Sequence, residues 1–343
     1  LAQHAIGFAA RRSLPKWRRD YFHGQAEVPL VTKTAPTEYR DVVLFADTFN
    51  TYFEPENLRA AVRVLTAGGY RVKIPQGTDG NRPLCCGRTY LATGMIDEAR
   101  IEARRVLAAL EPFVARGVAV VGLEPSCLLG LRDEFKALLP GADTDALARA
   151  ALTFEEFIVR ERHSGKFDAR WQTPPFKRAL VHGHCHQKAF GLMPAVTRAL
   201  EVVPGLAVET VATSCCGMAG AFGYDARHYD VSMAMAEAAL LPAVRASAAD
   251  TVVVADGTSC RHQIRDGAAR EAWHVARVLE AGGSSLERIV KVTIYLTDMS
   301  NFPRIVELRK RWFTPPYPAD TIVEVSALAL PELEIEIEAI ATL

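Results

Sequence analysis

The sequence predicts an α/β protein made of two duplicated parallel-sheet halves, followed by a small α+β tail. Three observations carry this. From Asp41 onward short apolar runs alternate with amphipathic helical runs. A set of cysteine-bearing landmarks occurs twice in the same order. After about residue 281 the pattern changes to alternating half-polar strands around one helix. With 343 residues, 49% hydrophobic and 23% charged, the chain can fill sizeable cores. Lysine plus arginine (40) equals aspartate plus glutamate (40), which removes the basic footprint of a nucleic-acid binder. No apolar run approaches the roughly 18 to 20 residues that span a bilayer. The seven cysteines stand as adjacent pairs and singletons near glycines, unlike a secreted disulfide framework. The expectation is a cytoplasmic protein with metal or redox chemistry, membrane-associated only through partners.

Residues 1–40 combine a helical pattern, Ala2 to Arg12, with VPLVTKTAPTEYRD, whose prolines and threonines favour an extended linker. Because the first residue is leucine, the chain is expected to start inside a longer reading frame. Residues 41–150 form a first half, 151–177 a connector, 178–280 a second half and 281–343 the tail. Strands are expected at Val42–Phe45, Tyr70–Ile74, Val118–Gly122, Ala179–His182, Ala207–Val211 and Thr251–Ala255. Pro55 suits a first helical turn and Gly68-Gly69 its stop, while Ile96–Leu110 and Asp230–Val244 read as longer helices. In the tail IVKVTIYL is a strand, FPRIVELRKRWF a helix opened by proline, and TIVEVSAL and LEIEIEAIA are half-buried strands.

The duplication can be checked by position. Cys85-Cys86-Gly87 recurs 130 residues on as Cys215-Cys216-Gly217. AVVGLEPSC, ending at Cys127, recurs as VVVADGTSC, ending at Cys260, and VVLFADTF with Thr48 recurs as ALVHGHCH with Cys185. Three landmarks in one order at nearly one offset exceed chance.

In the second half Cys185, Cys215, Cys216 and Cys260 each follow an expected strand. Loops leaving the carboxyl ends of parallel strands converge in one crevice, so four sulfurs can meet there. The glycine after the cysteine pair permits the tight turn that brings both thiolates to one centre. Four thiolates suit an iron–sulfur cluster or a tetrahedral zinc site, and spacing does not separate the two. The bland alternative, buried cysteines acting as small hydrophobes, gives no reason to repeat the triplet with its partners. In the first half Thr48 replaces the leading cysteine and leaves Cys85, Cys86 and Cys127. These form either a second metal site with another ligand type or a half retained for folding, and the latter is favoured. His182, His184 and His186 alternate, so an extended backbone would place their rings on one face. They are expected as hydrogen-bond donors around a thiolate site, or as direct ligands.

VLFADTFNTYFEP, PLCCGRTYLATGMIDEAR, GLEPSCL, VHGHCHQKA, SCCGMAGAFGYDARHYDVSMAMAE and ADGTSCRHQI resemble the cysteine-rich CCG domain of FAD-linked 2-hydroxyacid oxidoreductases. These include proteins similar to D-lactate and D-2-hydroxyglutarate dehydrogenases and to the iron–sulfur subunit of glycolate oxidase. The resemblance implies an electron-transfer part carrying a 4Fe-4S type cluster, with zinc as the alternative and FAD confined to a domain upstream. It implies a flavin-containing domain or subunit as partner and an electron acceptor such as a quinone. Residues 1–40 would close a ferredoxin-like domain. The resemblance extends to a heterodisulfide reductase subunit whose last cysteine belongs to a Cys-x-x-Cys pair. Here Arg261, His262 and Gln263 follow Cys260, so that fifth cysteine is missing.

Residues 281–343 are similar to the carboxyl-terminal half of the Rid (YjgF-like) enamine/imine deaminases. The resemblance implies an arginine after the Pro-Ala of PYPA, where Asp320 stands here, and an acidic active-site position matched by Glu336. A partial Rid fold implies an uncovered sheet face and self-association. Three functions are thus in play: the electron-transfer portion of a dehydrogenase, which is favoured, a non-catalytic zinc-stapled assembly domain, and a Rid-type deaminase.

Overall fold

The computed structural model describes residues 7–29, 39–80, 82–283, 289–313, 317–330 and 332–341. The chain divides into two units, residues 1–280 and 281–343.

The first unit holds two four-stranded parallel sheets. One comprises β1 (Arg40–Phe45), β2 (Tyr70–Lys73), β3 (Val120–Gly122) and β4 (Ala151–Thr153), in the order β2-β1-β3-β4. The other comprises β5 (Arg178–Val181), β6 (Ala207–Thr210), β7 (Thr251–Val254) and β8 (Ala272–Trp273), in the order β6-β5-β7-β8. The second sheet repeats the first strand for strand, so the duplication seen in the cysteines is a duplication of fold. In each sheet the strand order reverses beside the first strand, between β1 and β3 and between β5 and β7. Loops part at such a switch point and leave a crevice at the carboxyl ends of the strands.

The strands run hydrophobic because helices cover both faces. Helix Ile96–Val114 buries Ala99, Ala103, Val106 and Leu110 at helical spacing, in one cluster with Val43, Phe45, Val120, Cys86 and Cys127. In the second half Leu180, Val253, Leu240, Val244 and Ile264 pack around Cys216 and Cys260. Three expectations need correction or a boundary. Asp230–Val244 is two helices, Tyr229–Glu237 and Leu240–Ala246. Pro242 has no N–H for a continuous helix and is tolerated in the first turn of a new one. The described part of Ala2–Arg12 is not helical: Phe8 bridges to Asp225, and the Ala9 N–H donates to the Tyr224 carbonyl at 2.8 Å. The Arg12 guanidinium holds it there, donating to the Gly223 carbonyl and to Ser232 Oγ, each at 2.8 Å. Most of the expected linker, 30–38, lies outside the described residues.

Buried ionic contacts tie the two halves. Arg261, in helix Thr258–Ala268, donates Nε to Glu54 Oε1 at 2.9 Å and Nη1 to the carbonyls of Ala255 and Asp256 at 2.9 and 2.7 Å. Thr258 donates its N–H to Glu124 Oε2 at 2.9 Å and its hydroxyl to Glu54 Oε2 at 2.8 Å. Burial alone would raise the Glu54 carboxyl, but the Arg261 charge and hydrogen bonds outweigh it and hold it at about 2. Nearby Asp47 is pushed up to about 6 by burial and by the Glu124 carboxylate.

The second unit is a three-stranded sheet in the order β10-β9-β11, formed by β9 (Ile289–Leu296), β10 (Ala319–Glu324) and β11 (Ile335–Ala341), with helix Phe302–Trp312. β10 runs parallel to β9 and β11 antiparallel. Val292, Ile294, Leu296 and Ile305 form its small core. Ile337 lies opposite Ile294 and therefore on the same face, yet is 59% exposed. The helix covers β9 and leaves β11 bare.

Candidate metal centre

His182 follows β5 directly, and its N–H donates to the Val254 carbonyl at 2.8 Å, which fixes it at the crevice between β5 and β7. The extended backbone ends there. His184 caps helix Cys185–Ala189, its Nδ1 accepting the His186 N–H at 3.2 Å, while Gln187 Oε1 returns to the His184 N–H at 3.0 Å. Gln187 Nε2 also donates to Asp256 Oδ2 at 2.8 Å, locking this helix to the loop after β7.

The expected histidine face is therefore broken. His184 and His186 stack with centroids 5.2 Å apart, whereas His182 sits among the cysteines. His186 Nε2 takes the Arg88 Nη2 donor at 2.8 Å. Burial first, then the Arg88 charge, lowers His186 to about 4.

Gly217 turns with φ +85° and aims its N–H at Cys215 Sγ, 3.3 Å away. Gly87 repeats the device with φ +75° and a 3.5 Å contact to Cys85 Sγ. A Cβ on Gly217 would lie 2.2 Å from the Ser232 carbonyl oxygen, whereas one on Gly87 meets nothing nearer than 3.3 Å. The left-handed backbone costs a non-glycine residue about 1–2 kcal/mol, and the clash adds to it at Gly217. Gly217→Ala should accordingly lower unfolding free energy in urea by more than Gly87→Ala, at least about 2 kcal/mol. Equal effects would show that the backbone there relaxes freely.

The four second-half sulfurs couple electrostatically in a ribbon, Cys185 with Cys215, Cys215 with Cys216, and Cys216 with Cys260. Cys216, Cys260 and one ring nitrogen of His182 lie within 4.8 Å of one another. Cys215 is held well below the usual thiol range by hydrogen bonds from Cys185 and Cys216 and by the Gly217 N–H. Cys260 is likewise held down, chiefly by Cys216 and with help from His182. Cys185 and Cys216, the donors, are pushed up by those contacts and by burial. Thiolate character is thus favoured at two positions of the ribbon, and the thiolate is the metal-binding form. The donor set fits a metal centre.

The first half differs in charge. Cys86 and Cys127 lie 3.1 Å apart and line a small cavity with Arg88, Ser126 and Glu134. Cys85 is pushed up by Cys86 and by burial, and Cys86 by Cys127. A hydrogen bond from Cys86 lowers Cys127, but burial and the Asp47 and Glu124 carboxylates outweigh it and raise it to about 11. Asp47 occupies the place that His184 has in the repeat. Among the described residues, no three metal-ligating atoms of this half lie within 4.8 Å of one another.

In the tail Asp320 is ion-paired with Arg309. It lies opposite Val292, on the helix side of the sheet, while Glu336 lies opposite Tyr295 on the other face. The sheet therefore does not bring these two together.

Lys188 and Thr213, next to the ribbon, were not singled out by the sequence, although Lys188 belongs to the HGHCHQK run. Lys188 Nζ donates to Thr213 Oγ1 at 3.1 Å and to the carbonyls of Thr213 and Ser214, each at 2.7 Å. A second buried cluster, Glu155, Asp256 and His274, joins the halves. His274 Nδ1 accepts the Ala276 N–H and its Nε2 donates to the Leu123 carbonyl, each at 3.0 Å, so neither nitrogen is free for a metal.

The cysteine-rich domain (CCG) family matches residues 179–265, and the Endoribonuclease L-PSP family matches 245–343. One subunit of the anaerobic glycerol-3-phosphate dehydrogenase of Escherichia coli is 28% identical over 275 residues, covering 77% of this chain and 64% of that protein. The D-2-hydroxyglutarate dehydrogenase of Pseudomonas putida is 28% identical over 260 residues, 75% of this chain and 24% of that protein. A RutC family protein of Pyrococcus horikoshii is 40% identical over 85 residues, 25% of this chain and 67% of that protein. The chain thus spans somewhat under two thirds of the first of these relatives and about a quarter of the second. Its second half carries a CCG cysteine-rich domain, similar to parts of glycerol-3-phosphate and D-2-hydroxyglutarate dehydrogenases, and its tail belongs to the Rid (RutC, L-PSP) family.

Proposed function

We propose that the first unit is the iron–sulfur electron-transfer portion of an FAD-linked 2-hydroxyacid dehydrogenase, passing electrons from a flavin-containing domain or subunit to an acceptor such as a quinone. The single observation that carries this is the ribbon of Cys185, Cys215, Cys216 and Cys260 at the switch point, with thiolate favoured at Cys215 and Cys260. A bound cluster of the 4Fe-4S type supplies a one-electron relay. The chain's own residues hold its sulfur ligands, keep Cys216 and Cys260 from water and, through Gly217 N–H and His182, bias the charge on them. Cys85, Cys86 and Cys127 serve the first half as core, and the domain limits at 40, 150, 177 and 280 follow this reading. The tail, with Asp320 bound to Arg309, acts as an association element and not as a deaminase.

Zinc has one observation in its favour: His182, Cys216 and Cys260 are already close, and one more sulfur completes a tetrahedral set. Photoreduced FAD added to the anaerobically purified chain separates the readings. Electron-transfer function predicts bleaching of the chain's visible absorption, whereas a zinc staple takes up no electrons. The same chain alone should not oxidise D-lactate, glycolate or D-2-hydroxyglutarate with a dye acceptor, and turnover of any of them would place the substrate site within it.

A further inference from the structure

We infer that His182 is a direct ligand of the second-half centre, its Nε2 joining the sulfurs of Cys216 and Cys260. The inference rests on the reading that this half binds metal. His182 is 1% exposed, and its Nε2 is buried without a hydrogen-bond partner. A buried polar atom left so is costly unless something else binds it. The atoms at hand are sulfurs: a ring nitrogen of His182 lies within 4.8 Å of both Cys216 and Cys260.

The other side of the ring is compatible with a free Nε2. His182 Nδ1 is 2.9 Å from Thr213 Oγ1. The Lys188 ammonium already donates to that oxygen at 3.1 Å, and an ammonium can only donate. One lone pair of Thr213 Oγ1 remains to accept a proton carried on Nδ1, the tautomer that leaves the Nε2 lone pair facing the sulfurs; a Thr213 hydroxyl donating to Nδ1 gives the opposite tautomer. A ligating histidine characteristically donates its other N–H to an oxygen in this way. His184 Nδ1 accepts the His186 N–H and His186 Nε2 takes Arg88; His186 Nδ1 is also buried without a partner, but among the described residues only His182 comes within 4.8 Å of both Cys216 and Cys260. Gln263, three residues beyond Cys260, donates to the Ser232 carbonyl at 3.0 Å. The rival arrangement puts the proton on Nε2, as a donor to a thiolate.

The test uses the full chain without a histidine tag, purified without oxygen, with its metal quantified and X-ray absorption read at the edge of the metal found. Wild type should show sulfur scatterers plus one imidazole. His182→Gln should lose the imidazole signature, keep sulfur, and bind metal at least about tenfold more weakly. Thr213→Val should keep the imidazole but lose about tenfold in affinity. His184→Gln should keep the imidazole. A sulfur-only shell in fully loaded wild type, or imidazole scattering that survives in folded His182→Gln, overturns the assignment of His182 alone. A wild-type chain that binds no metal overturns the reading beneath it, and the assignment with it. The wild-type spectrum decides the question even if the variant fails to fold.

Discussion

Cys216→Ser is expected to abolish most of the bound metal, weakening affinity about tenfold or more, while Cys85→Ser should change metal content by less than about twofold. Cys216 sits mid-ribbon, in contact with Cys215 and Cys260 and within reach of His182. Removing it cuts the donor set in two. Cys85 lies beside Cys86, in a half whose three cysteines are all pushed toward the neutral thiol. The carboxylates of Asp47 and Glu124 oppose a thiolate at Cys127, whereas His182 and His184 favour one at Cys260. Metal per chain, measured on both variants after confirming their helix content by circular dichroism, checks this asymmetry. Equal losses would contradict it.

Arg261→Met should destabilise the first unit by about 3–5 kcal/mol at pH 7, because it leaves the Glu54 carboxylate buried and unpaired. The Arg261 side chain is only 4% exposed and bridges Glu54 to two carbonyls of the other half. Replacing both partners, with Glu54→Gln added, should recover much of the loss, as removing a buried pair together usually does. The pH dependence has a definite sign. Glu54 is near 2 in the fold against an ordinary 4.5, so its contribution is complete above about pH 4.5 and is lost as pH falls toward 2. Asp47 works oppositely: near 6 in the fold against 3.8, it favours the fold below about pH 4 and withdraws that support as pH rises through 6. Urea unfolding from pH 3 to 8 should therefore show a steeper acid limb in wild type than in Arg261→Met. An unchanged limb would remove Glu54 from the account.

The parallel strands β1, β2, β3, β5, β6 and β7 were legible because each is a short valine-bearing run set between amphipathic helical patterns. Their carboxyl ends then placed the cysteines in one crevice, without any contact being known. β4 and β8 were not legible, being Ala151–Thr153 and Ala272–Trp273, too short to show a period. The histidine run misled for a definite reason. Alternation implies one face only while the backbone stays extended, and His184 ends the extension by capping a helix. Asp320 stands where the Rid resemblance implies an arginine, and the sequence does not announce that Arg309 pairs with it. Glu155, Asp256 and His274 have no spacing that announces them, since only the docking of the two halves joins them. Burial first, then the Asp256 charge, holds Glu155 well above the usual carboxylate range.

Metal and acid-labile sulfide content of the anaerobically purified chain, with its absorption spectrum before and after dithionite, tests the central claim most directly. Iron and sulfide should be found together, with a broad visible band that dithionite bleaches and that Cys216→Ser abolishes. Zinc alone with no visible band, or a folded chain holding no metal, would contradict it.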